Sequence, residues 1–200
     1  MEKAIKGGVN LIQLREKDLP AGELFALATR LRDVTRNRAL LVINDRLDVA
    51  LAVGADGVHL PENGLPVSIA RWLLGQHAII GRSVHSEEAA IEAERGGADY
   101  VQLGTIYATE SKPDAEPAGP DLVRKVSSAL SIPVLAVGGI GAENAGEVIE
   151  AGASGASVIS AIVGAADPEA VTRELVEAMS EAWKRRALPL EPEATEAAGS

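Results

Sequence analysis

The chain has 200 residues, which suggests one domain or at most two small ones. It contains no cysteine, and this excludes a disulfide scaffold, a thiolate metal site and a cysteine nucleophile. The 29 acidic and 19 basic residues give a formal net charge of −10, which disfavours a general nucleic-acid surface but allows a local basic site. Aromatic residues make up only 2% of the chain, so Ala, Val, Leu and Ile must fill its core.

No segment of the sequence resembles a membrane span or a signal peptide. The apolar runs are interrupted by Gly or charge and are far shorter than the roughly 20 residues that a bilayer requires. Met1-Glu2-Lys3 is not followed by a long apolar stretch. We therefore predict a cytoplasmic protein that binds neither membrane nor nucleic acid.

Short β-branched runs alternate along the chain with longer stretches rich in Ala, Glu, Leu and Arg. The runs predict seven strands, at residues 10–14, 40–43, 57–60, 78–81, 100–103, 134–137 and 156–159. The longer stretches predict helices at residues 21–36, 67–74, 86–96, 120–130, 142–151 and 168–186. Because the strand runs are apolar on both faces, they are typical of a parallel sheet covered by helices.

Seven βα units predict an α/β fold, specifically a TIM (β/α)₈ barrel that lacks one strand. Gly-Ala-Asp or Gly-Ala-Ser recurs before three of the strands, at residues 54–56, 97–99 and 152–154, as expected of a barrel built from similar units. A doubly wound open sheet is the alternative, but no Gly-x-Gly-x-x-Gly fingerprint follows the first strand. Trp72 and Trp183 lie on predicted helices, where we expect them to pack.

We predict a single barrel domain over residues 1–186. Residues 105–119 are rich in Pro, Ser and charge and directly follow a strand, which indicates a mobile loop over the strand ends. Residues 187–200 show no periodicity, and we expect them to form a disordered tail.

In a parallel barrel, reactive groups gather at the carboxyl ends of the strands. Arg15, Lys17, Arg82 and Lys112 follow strand ends or lie in the predicted loop, and together they suggest a basic site for a phosphorylated substrate. The alternative is a surface salt-bridge run at residues 15–17.

The last two strands and the second strand supply further candidates. Gly138-Gly139 and Ile159-Ser160 lie where many barrels bind phosphate, although the glycines also suit a tight turn. Asp45 is the best candidate Mg²⁺ ligand, although Asn44-Asp45 also suits an Asx turn that caps the next helix. His59 is equally well explained as a packed core histidine.

Eight short motifs occur in an order that resembles the thiamine phosphate synthase family, which includes the related thiazole tautomerases. They are Gln-Leu-Arg-Glu-Lys (13–17), Ile-Asn-Asp-Arg (43–46), Gly-Val-His-Leu (57–60), Ile-Gly-Arg-Ser (80–83), Ala-Asp-Tyr-Val (98–101), Gly-x-x-Tyr-x-Thr-x-Ser-Lys (104–112), Ala-Val-Gly-Gly-Ile (136–140) and Val-Ile-Ser-Ala-Ile (158–162). Each motif is weak alone, but the series covers about residues 4–186.

The resemblance implies a transferase that joins hydroxymethylpyrimidine diphosphate to thiazole phosphate and releases pyrophosphate. Matching the motifs residue by residue gives each site residue an expected role. Arg15, Lys17 and Lys112 would be catalytic and, with Gln13 and Asn44, would hold the diphosphate, while Asp45 would bind Mg²⁺. Ser83 would line the diphosphate or pyrimidine site. The thiazole phosphate would be contacted by Thr109, Ser111, Gly139, Ile159 and Ser160.

Two departures from the family pattern keep alternatives open. Synthases of this kind usually carry a second Asp ligand for Mg²⁺ at the position occupied here by Gly64, and Glu62 is a possible substitute. The alternatives are therefore a cofactor-free thiazole tautomerase, with His59 or Glu62 as acid or base, and a phosphate-binding paralogue without activity. The tautomerase branch is often marked by His where this chain has Thr105.

The second departure is at the start of the chain. Members of the family begin with a strand, whereas this sequence begins inside the following helix, at residues 2–7, so we expect a truncated start. We then expect an open seam with two unpaired sheet edges, and low stability or association of copies through that seam. A homo-oligomer is therefore possible.

Overall fold

The computed structural model describes residues 1–110 and 113–187 and contains one sheet of seven parallel strands. The strands follow one another in sequence order, each paired with the next. Their bounds are β1 Leu11–Leu14, β2 Leu40–Asn44, β3 Gly57–Leu60, β4 Ile79–Val84, β5 Tyr100–Leu103, β6 Val134–Val137 and β7 Gly155–Ser157. All seven predicted strands are confirmed, with ends that differ by three residues or fewer.

Helices alternate with the strands and cover the outer face of the sheet. Their bounds in the described residues are α1 Glu2–Gly7, α2 Ala21–Thr35, α3 Leu47–Val53, α4 Val67–Leu74, α5 Glu87–Arg95, α6 Gly119–Ala129, α7 Ala145–Glu150, α8 Ser160–Val163 and α9 Pro168–Ala187. The six predicted helices are present, as is α1, which the family resemblance places at residues 2–7, and α3 and α8 are additional. No helix in the described ranges is long and apolar enough to cross a membrane.

The sheet curls so that strands distant in the sheet order meet in its interior. Gln13 Nε2 on β1 donates to Gln102 Oε1 on β5 at 3.3 Å, although β1 and β5 are not neighbours. On the outer face, apolar side chains pack beneath the helices, and Leu41, Val58 and Ile80 have no exposed surface. The predicted TIM-type barrel that lacks a strand is therefore confirmed.

The recurring Gly-Ala-Asp turns tie neighbouring strands together at the amino ends of the sheet. Asp99 Oδ2 accepts hydrogen bonds from the Ile80 backbone N–H at 2.7 Å and from Arg71 Nη2 at 2.6 Å. Asp56 Oδ2 accepts equivalent bonds from the Leu41 N–H and from Arg32, each at 2.7 Å. The same short sequence thus builds the same strand-to-strand clamp twice.

In the described ranges, β1 pairs only with β2 and β7 pairs only with β6. The helices close this side of the molecule, because α1 and α9 approach so closely that a Cβ at Gly7 would lie 2.6 Å from Thr172 Cβ. The sheet itself is open between β7 and β1, as expected, whereas α1 and α9 pack against each other on this side. Low stability or association through the seam stays a prediction, which thermal denaturation and native mass measurements would check.

The structure corrects the expectation that both tryptophans pack. Trp72 on α4 is 79% exposed, because it lies on the outer side of its helix. Trp183 on α9 is 45% exposed, and its ring lies 4.0 Å from the guanidinium carbon of Arg186. The predicted tail over residues 187–200 lies outside the described residues except for Ala187, which ends α9.

Candidate active site

The seven strands are parallel, so their carboxyl ends meet on one side of the barrel. Arg15 and Lys17 follow β1 there and are exposed. Neither has an ion-pair partner in the ranges that the structure describes, so the salt-bridge alternative for residues 15–17 is not observed. Two unpaired cations on an otherwise acidic protein form a suitable subsite for phosphate oxygens.

A chain of polar side chains runs through the barrel interior below this end. His59 on β3 is 1% exposed, and its Nε2 lies 2.8 Å from Ser83 Oγ on β4. Its Nδ1 lies 3.0 Å from the Tyr100 hydroxyl on β5. Both ring nitrogens therefore have a side-chain partner in either neutral tautomer, and His59 fixes the position of the candidate residue Ser83.

Glycine at position 81 makes this chain of contacts possible. Gly81 pairs with both His59 and Tyr100 in the sheet, so it lies between the two rings. A Cβ at Gly81 would lie 2.1 Å from Tyr100 Cζ and 2.4 Å from its hydroxyl oxygen. Tyr100 therefore crosses β4 through the space that a side chain at position 81 would fill.

The interior disfavours charge on His59. Burial, together with the nearby positive charges of Arg82 and Arg15, lowers the pKa of His59 from 6.5 to about 4. Burial and the charge of Asp99 raise the pKa of Tyr100 above its usual range, so the phenol keeps its proton. The polar interior formed by His59 and Tyr100 is thus neutral at physiological pH.

Arg82, one of the four cations predicted to form the basic site, binds the loop between β3 and α4 instead. The Arg82 guanidinium donates from Nη1 to Leu65 O at 2.8 Å and from Nη2 to Glu62 O at 2.6 Å. The Glu62 carboxylate is paired with His85 Nδ1 at 2.7 Å. Arg82 therefore holds the loop, which the sequence did not indicate, and its charge still acts on His59.

Asn44 ends β2, and the exposed Asp45 follows it with a left-handed backbone, φ 62°. The Asp45 N–H donates to His59 O at 2.9 Å, which continues the pairing of β2 with β3 beyond the strand end. The alternative capping role is not observed, because the N-cap of α3 is Arg46 and no side chain caps it. The described residues contain no group of three or more His, Cys, Asp or Glu that could hold a metal ion.

The ends of β5 and β6 bring together part of the expected thiazole phosphate subsite. Gly139 has φ 61°, and a Cβ there would lie 2.4 Å from Ala108 O, so the segment that contains Thr109 lies directly against it. The Asn144 amide donates to Gly139 O at 2.9 Å and fixes this turn. Ile159 and Ser160 lie at the start of α8, beyond the neighbouring strand β7, and both are exposed.

The loop that follows β5 is closed at its base. The N–H groups of Ala118 and Gly119 donate to Thr105 O and Ile106 O at 2.9 and 3.0 Å. Ser111 and Lys112, which we predicted to contact substrate, lie outside the described residues, and their roles stay predictions.

Sequence reasoning did not identify Tyr100 and Gln102 as interior residues. Both are polar-tipped side chains on β5, and Gln102 interrupts an otherwise apolar run. The sequence did contain one signal, which is the polar residue Gln102 inside a strand whose two faces are both covered. A buried polar side chain requires a hydrogen-bond partner, so this residue could have indicated a polar contact in the interior.

Comparison with known proteins agrees with this geometry. Residues 1–162 match the family model described as thiamine monophosphate synthase. The chain is 49% identical over 183 residues to a thiamine-phosphate synthase of Natronomonas pharaonis, covering 90% of this chain and 86% of that protein. It is also 49% identical over 181 residues to one from Moorella thermoacetica, with the same coverage of 90% and 86%.

A solved structure extends the likeness to three dimensions. The thiamine phosphate pyrophosphorylase from Pyrococcus furiosus superposes with a TM-score of 0.84 at 42% identity, over 90% of this chain and 88% of that one. These matches confirm the resemblance found in the motifs. The chain belongs to the thiamine monophosphate synthase family.

Proposed function

We propose that the chain is a transferase that makes thiamine phosphate from hydroxymethylpyrimidine diphosphate and thiazole phosphate. The bond between the pyrimidine methylene carbon and the diphosphate oxygen breaks, and pyrophosphate leaves with the electron pair. The thiazole nitrogen then forms the new bond to the cationic carbon. Such a reaction requires stabilisation of the leaving charge, exclusion of water and alignment of two substrates.

The unpaired cations at the end of β1 are the observation that supports this proposal most directly. Arg15 can bind two phosphate oxygens at once and Lys17 adds a point charge, so both stabilise pyrophosphate as it leaves. Gln13 lies on β1, two residues before Arg15 and deeper in the barrel interior. Its amide is oriented by the side chain of Gln102, at 3.3 Å. In our proposal Asn44 lies beside this group, and Lys112 reaches the same diphosphate from the loop.

Ser83 is proposed to contact the pyrimidine diphosphate from the barrel interior. Its hydroxyl is oriented by His59 at 2.8 Å, and His59 is held in turn by Tyr100. Because these groups are neutral and buried, they position the hydroxyl without adding charge near the developing cation. His59 is thus a positioning residue in this proposal.

The thiazole phosphate is proposed to bind across the ends of β6 and β7. Gly139, Ile159 and Ser160 would surround it, with Thr109 and Ser111 on the loop side. Glycine suits position 139 because the backbone there is left-handed and lies against Ala108, so a side chain would occupy the same space. The two proposed phosphate subsites thus lie on different strands of one barrel end.

Mg²⁺ is the cation that this function implies, with Asp45 as its proposed ligand. The residues present do not fit an ion held by protein alone. The position that faces Asp45 Oδ1 is Gly64, and the carboxylate of Glu62 is paired with His85. In the described ranges no cluster of three metal-ligating side chains exists.

The test is an assay of thiamine phosphate formation from both substrates, with Mg²⁺ and with a chelator. We expect Arg15→Gln to lower kcat/KM about 10²-fold or more, since it removes a charge-assisted contact to the leaving group. The matched control is Arg30→Gln, because Arg30 is exposed on α2, in the half of the helix that leads back to the amino end of β2. Absence of product from folded wild-type protein would refute the proposed function.

The tautomerase alternative is not favoured by any observation. Its candidate bases are both engaged, since His59 contacts two side chains and Glu62 is paired with His85. Thr105, at the position where that branch often has His, is 7% exposed and cannot supply a base. The relatives reported above are synthases by name.

A further inference from the structure

Helix α4, Val67–Leu74, is apolar on its outer side as well as on the side that faces the core. Val67 and Ala70 are buried, and Leu74 packs against the same core. Residues three and four apart share one face of a helix, so these three side chains form its inner side. The other apolar residues of α4 therefore lie outside the core, where a helix of a globular protein normally carries polar side chains.

The outer side of α4 carries large apolar side chains in one stripe. Trp72 is 79% exposed, Leu73 is 49% exposed, and Leu65 and Ile69 are each 44% exposed. Ile69, Trp72 and Leu73 are spaced by three and four residues, so they lie on one face. Leu65 precedes Ile69 by four residues, just before the helix begins. We call these four residues the α4 stripe. A helix that is apolar on all sides is normally buried, so the α4 stripe indicates a face that another surface covers.

The exposed surface around the α4 stripe carries no Asp, Glu, Lys or Arg. The exposed positions between residues 63 and 80 are Asn, Leu, Pro, Ser, Ile, Trp, Leu, Gly, Gln and His. Arg71, the one charged residue of α4, is turned towards Asp99, with Nη2 at 2.6 Å from Oδ2. In the described ranges, every other helix of eight residues or more exposes at least one charged side chain. The uncharged outer surface thus distinguishes α4 from the other long helices.

The lack of charge decides which kind of surface fits the α4 stripe. Helices that lie on membranes usually carry Lys and Arg beside their apolar face, and nucleic acid requires a basic surface. Two copies of this chain, each with a net charge of −10, repel each other wherever acidic surfaces meet. At the α4 stripe they can approach without opposed carboxylates. An apolar face is also complementary to itself, as a two-fold interface requires.

We propose that the α4 stripe is the interface of a two-fold symmetric homodimer. Trp72 should contribute most, because an aromatic side chain that is 79% exposed offers about 120–200 Å² for burial. The whole stripe supplies about half of the roughly 800 Å² that one partner buries in a standard interface. The exposed Leu51 on the adjacent α3, with Ser68 and Gln76, extends this surface. An interface of this size and composition predicts a dissociation constant of about 1–50 μM.

The test is sedimentation velocity of the full chain between about 1 and 300 μM, a range that brackets the expected dissociation constant. Wild-type protein should change from monomer to dimer over this range. Trp72→Glu and Trp72→Lys should each raise the dissociation constant at least about tenfold, because both place a charge in an apolar interface. These variants change the net charge in opposite directions, so an effect common to both does not come from net charge.

Trp183→Glu is the matched control for sedimentation. Trp183 is 45% exposed on α9, on the side where the sheet is open between β7 and β1. Its replacement by Glu makes the same chemical change on a different face, so the dissociation constant should stay within about threefold of wild type, as for a residue outside the interface. Association through the open side of the sheet would give the opposite ranking of Trp183→Glu and Trp72→Glu.

Fluorescence locates the interface at Trp72 itself. The chain contains two tryptophans, so Trp183→Phe leaves Trp72 as its only one. The emission of this variant should move to shorter wavelengths over the concentrations at which the dimer forms, because association removes the indole ring from water. Trp72→Phe retains only Trp183 and should show no such shift.

Wild-type protein that remains monomeric throughout this range would overturn the inference. If that monomer sediments with phosphatidylcholine vesicles, the α4 stripe is a membrane-binding face instead. A dimer that both Trp72 variants leave intact, or that Trp183→Glu disrupts equally, would also refute it. Trp72 is largely exposed, so its replacement removes little packing within the monomer. Urea denaturation of the variants checks that they fold, and Leu73→Glu provides a second charge on the same face.

Discussion

Acidification should destabilise this protein through His59 in particular. The imidazole is buried and neutral, and burial together with Arg82 and Arg15 lowers the pKa of His59 from 6.5 to about 4. In the unfolded chain His59 takes up a proton near pH 6.5, whereas the folded protein resists protonation until about pH 4. The unfolded state therefore binds more protons between these values, and stability falls as the pH falls.

The size of this effect follows from the shift in pKa. Each pKa unit is equivalent to about 1.36 kcal/mol, so the full shift represents about 3 kcal/mol. This contribution is fully present above pH 6.5 and is lost progressively as the pH falls to about 4. Because marginal stabilities are about 5–15 kcal/mol, the change is large enough to measure by denaturation.

The assay is urea denaturation of wild-type protein and His59→Gln between pH 7.5 and pH 4.5, conditions chosen to span the window. His59→Gln removes the titrating group, so wild type should lose about 2–3 kcal/mol more than the variant over this range. His77→Gln is the matched control, because His77 is exposed on the surface, and it should follow wild type. Nuclear magnetic resonance of the His59 ring should show a higher pKa in Arg15→Gln, which removes one of the two nearby charges.

Carboxylates also titrate in this range, so only the difference between variants bears on His59. Parallel loss of stability in wild type and His59→Gln would refute the reasoning. A ring titration of His59 near pH 6.5 in the folded protein would refute it independently, since it would show that the interior does not oppose the charge.

Two stability predictions follow from packing elsewhere in the sheet. Gly81→Ala should destabilise the protein by about 2–4 kcal/mol in urea denaturation, because its Cβ would overlap the Tyr100 ring. Gly22→Ala, with nothing within 4 Å, should cause no loss, and equal effects of the two changes would contradict this explanation. Asp99→Asn should cost about 1–2 kcal/mol, because it weakens a clamp on a strand N–H. Asp121→Asn, in an exposed surface pair with Arg124, should stay within about 0.5 kcal/mol of wild type, and a comparable loss there would refute the distinction.

The strands were predictable because both faces of this parallel sheet are covered, the outer face by helices and the inner face by the filled interior. Each strand therefore appears in the sequence as an apolar run that ends abruptly. Two helices were not predictable for a related physical reason. α3, Leu47–Val53, is apolar along most of its length, so it shows no helical period distinct from a buried strand. α8, Ser160–Val163, spans about one turn, which is too short for any period to emerge.

The candidate site was predictable only where topology alone decides position. Parallel strands force Arg15, Asn44 and Gly139 to the same end of the barrel, so these residues could be grouped without coordinates. The contact of Gln13 with Gln102 depends instead on how far the sheet curls, and the sequence does not specify that curvature. Tyr100 reaches His59 only because position 81 lacks a side chain, which becomes meaningful once three adjacent strands are in register.

The loop after β3 shows the same limit at the proposed metal site. The sequence reveals that position 64 lacks a carboxylate, and it offers Glu62 as an apparent substitute. Only the fold shows that Glu62 is paired with His85, and that the ring of Pro61 occupies the space a side chain at position 64 would need. Gly64 and Pro61 together therefore leave Asp45 without a second carboxylate beside it. We do not expect Gly64→Asp alone to restore that ligand, because the Pro61 ring occupies the space of the new side chain.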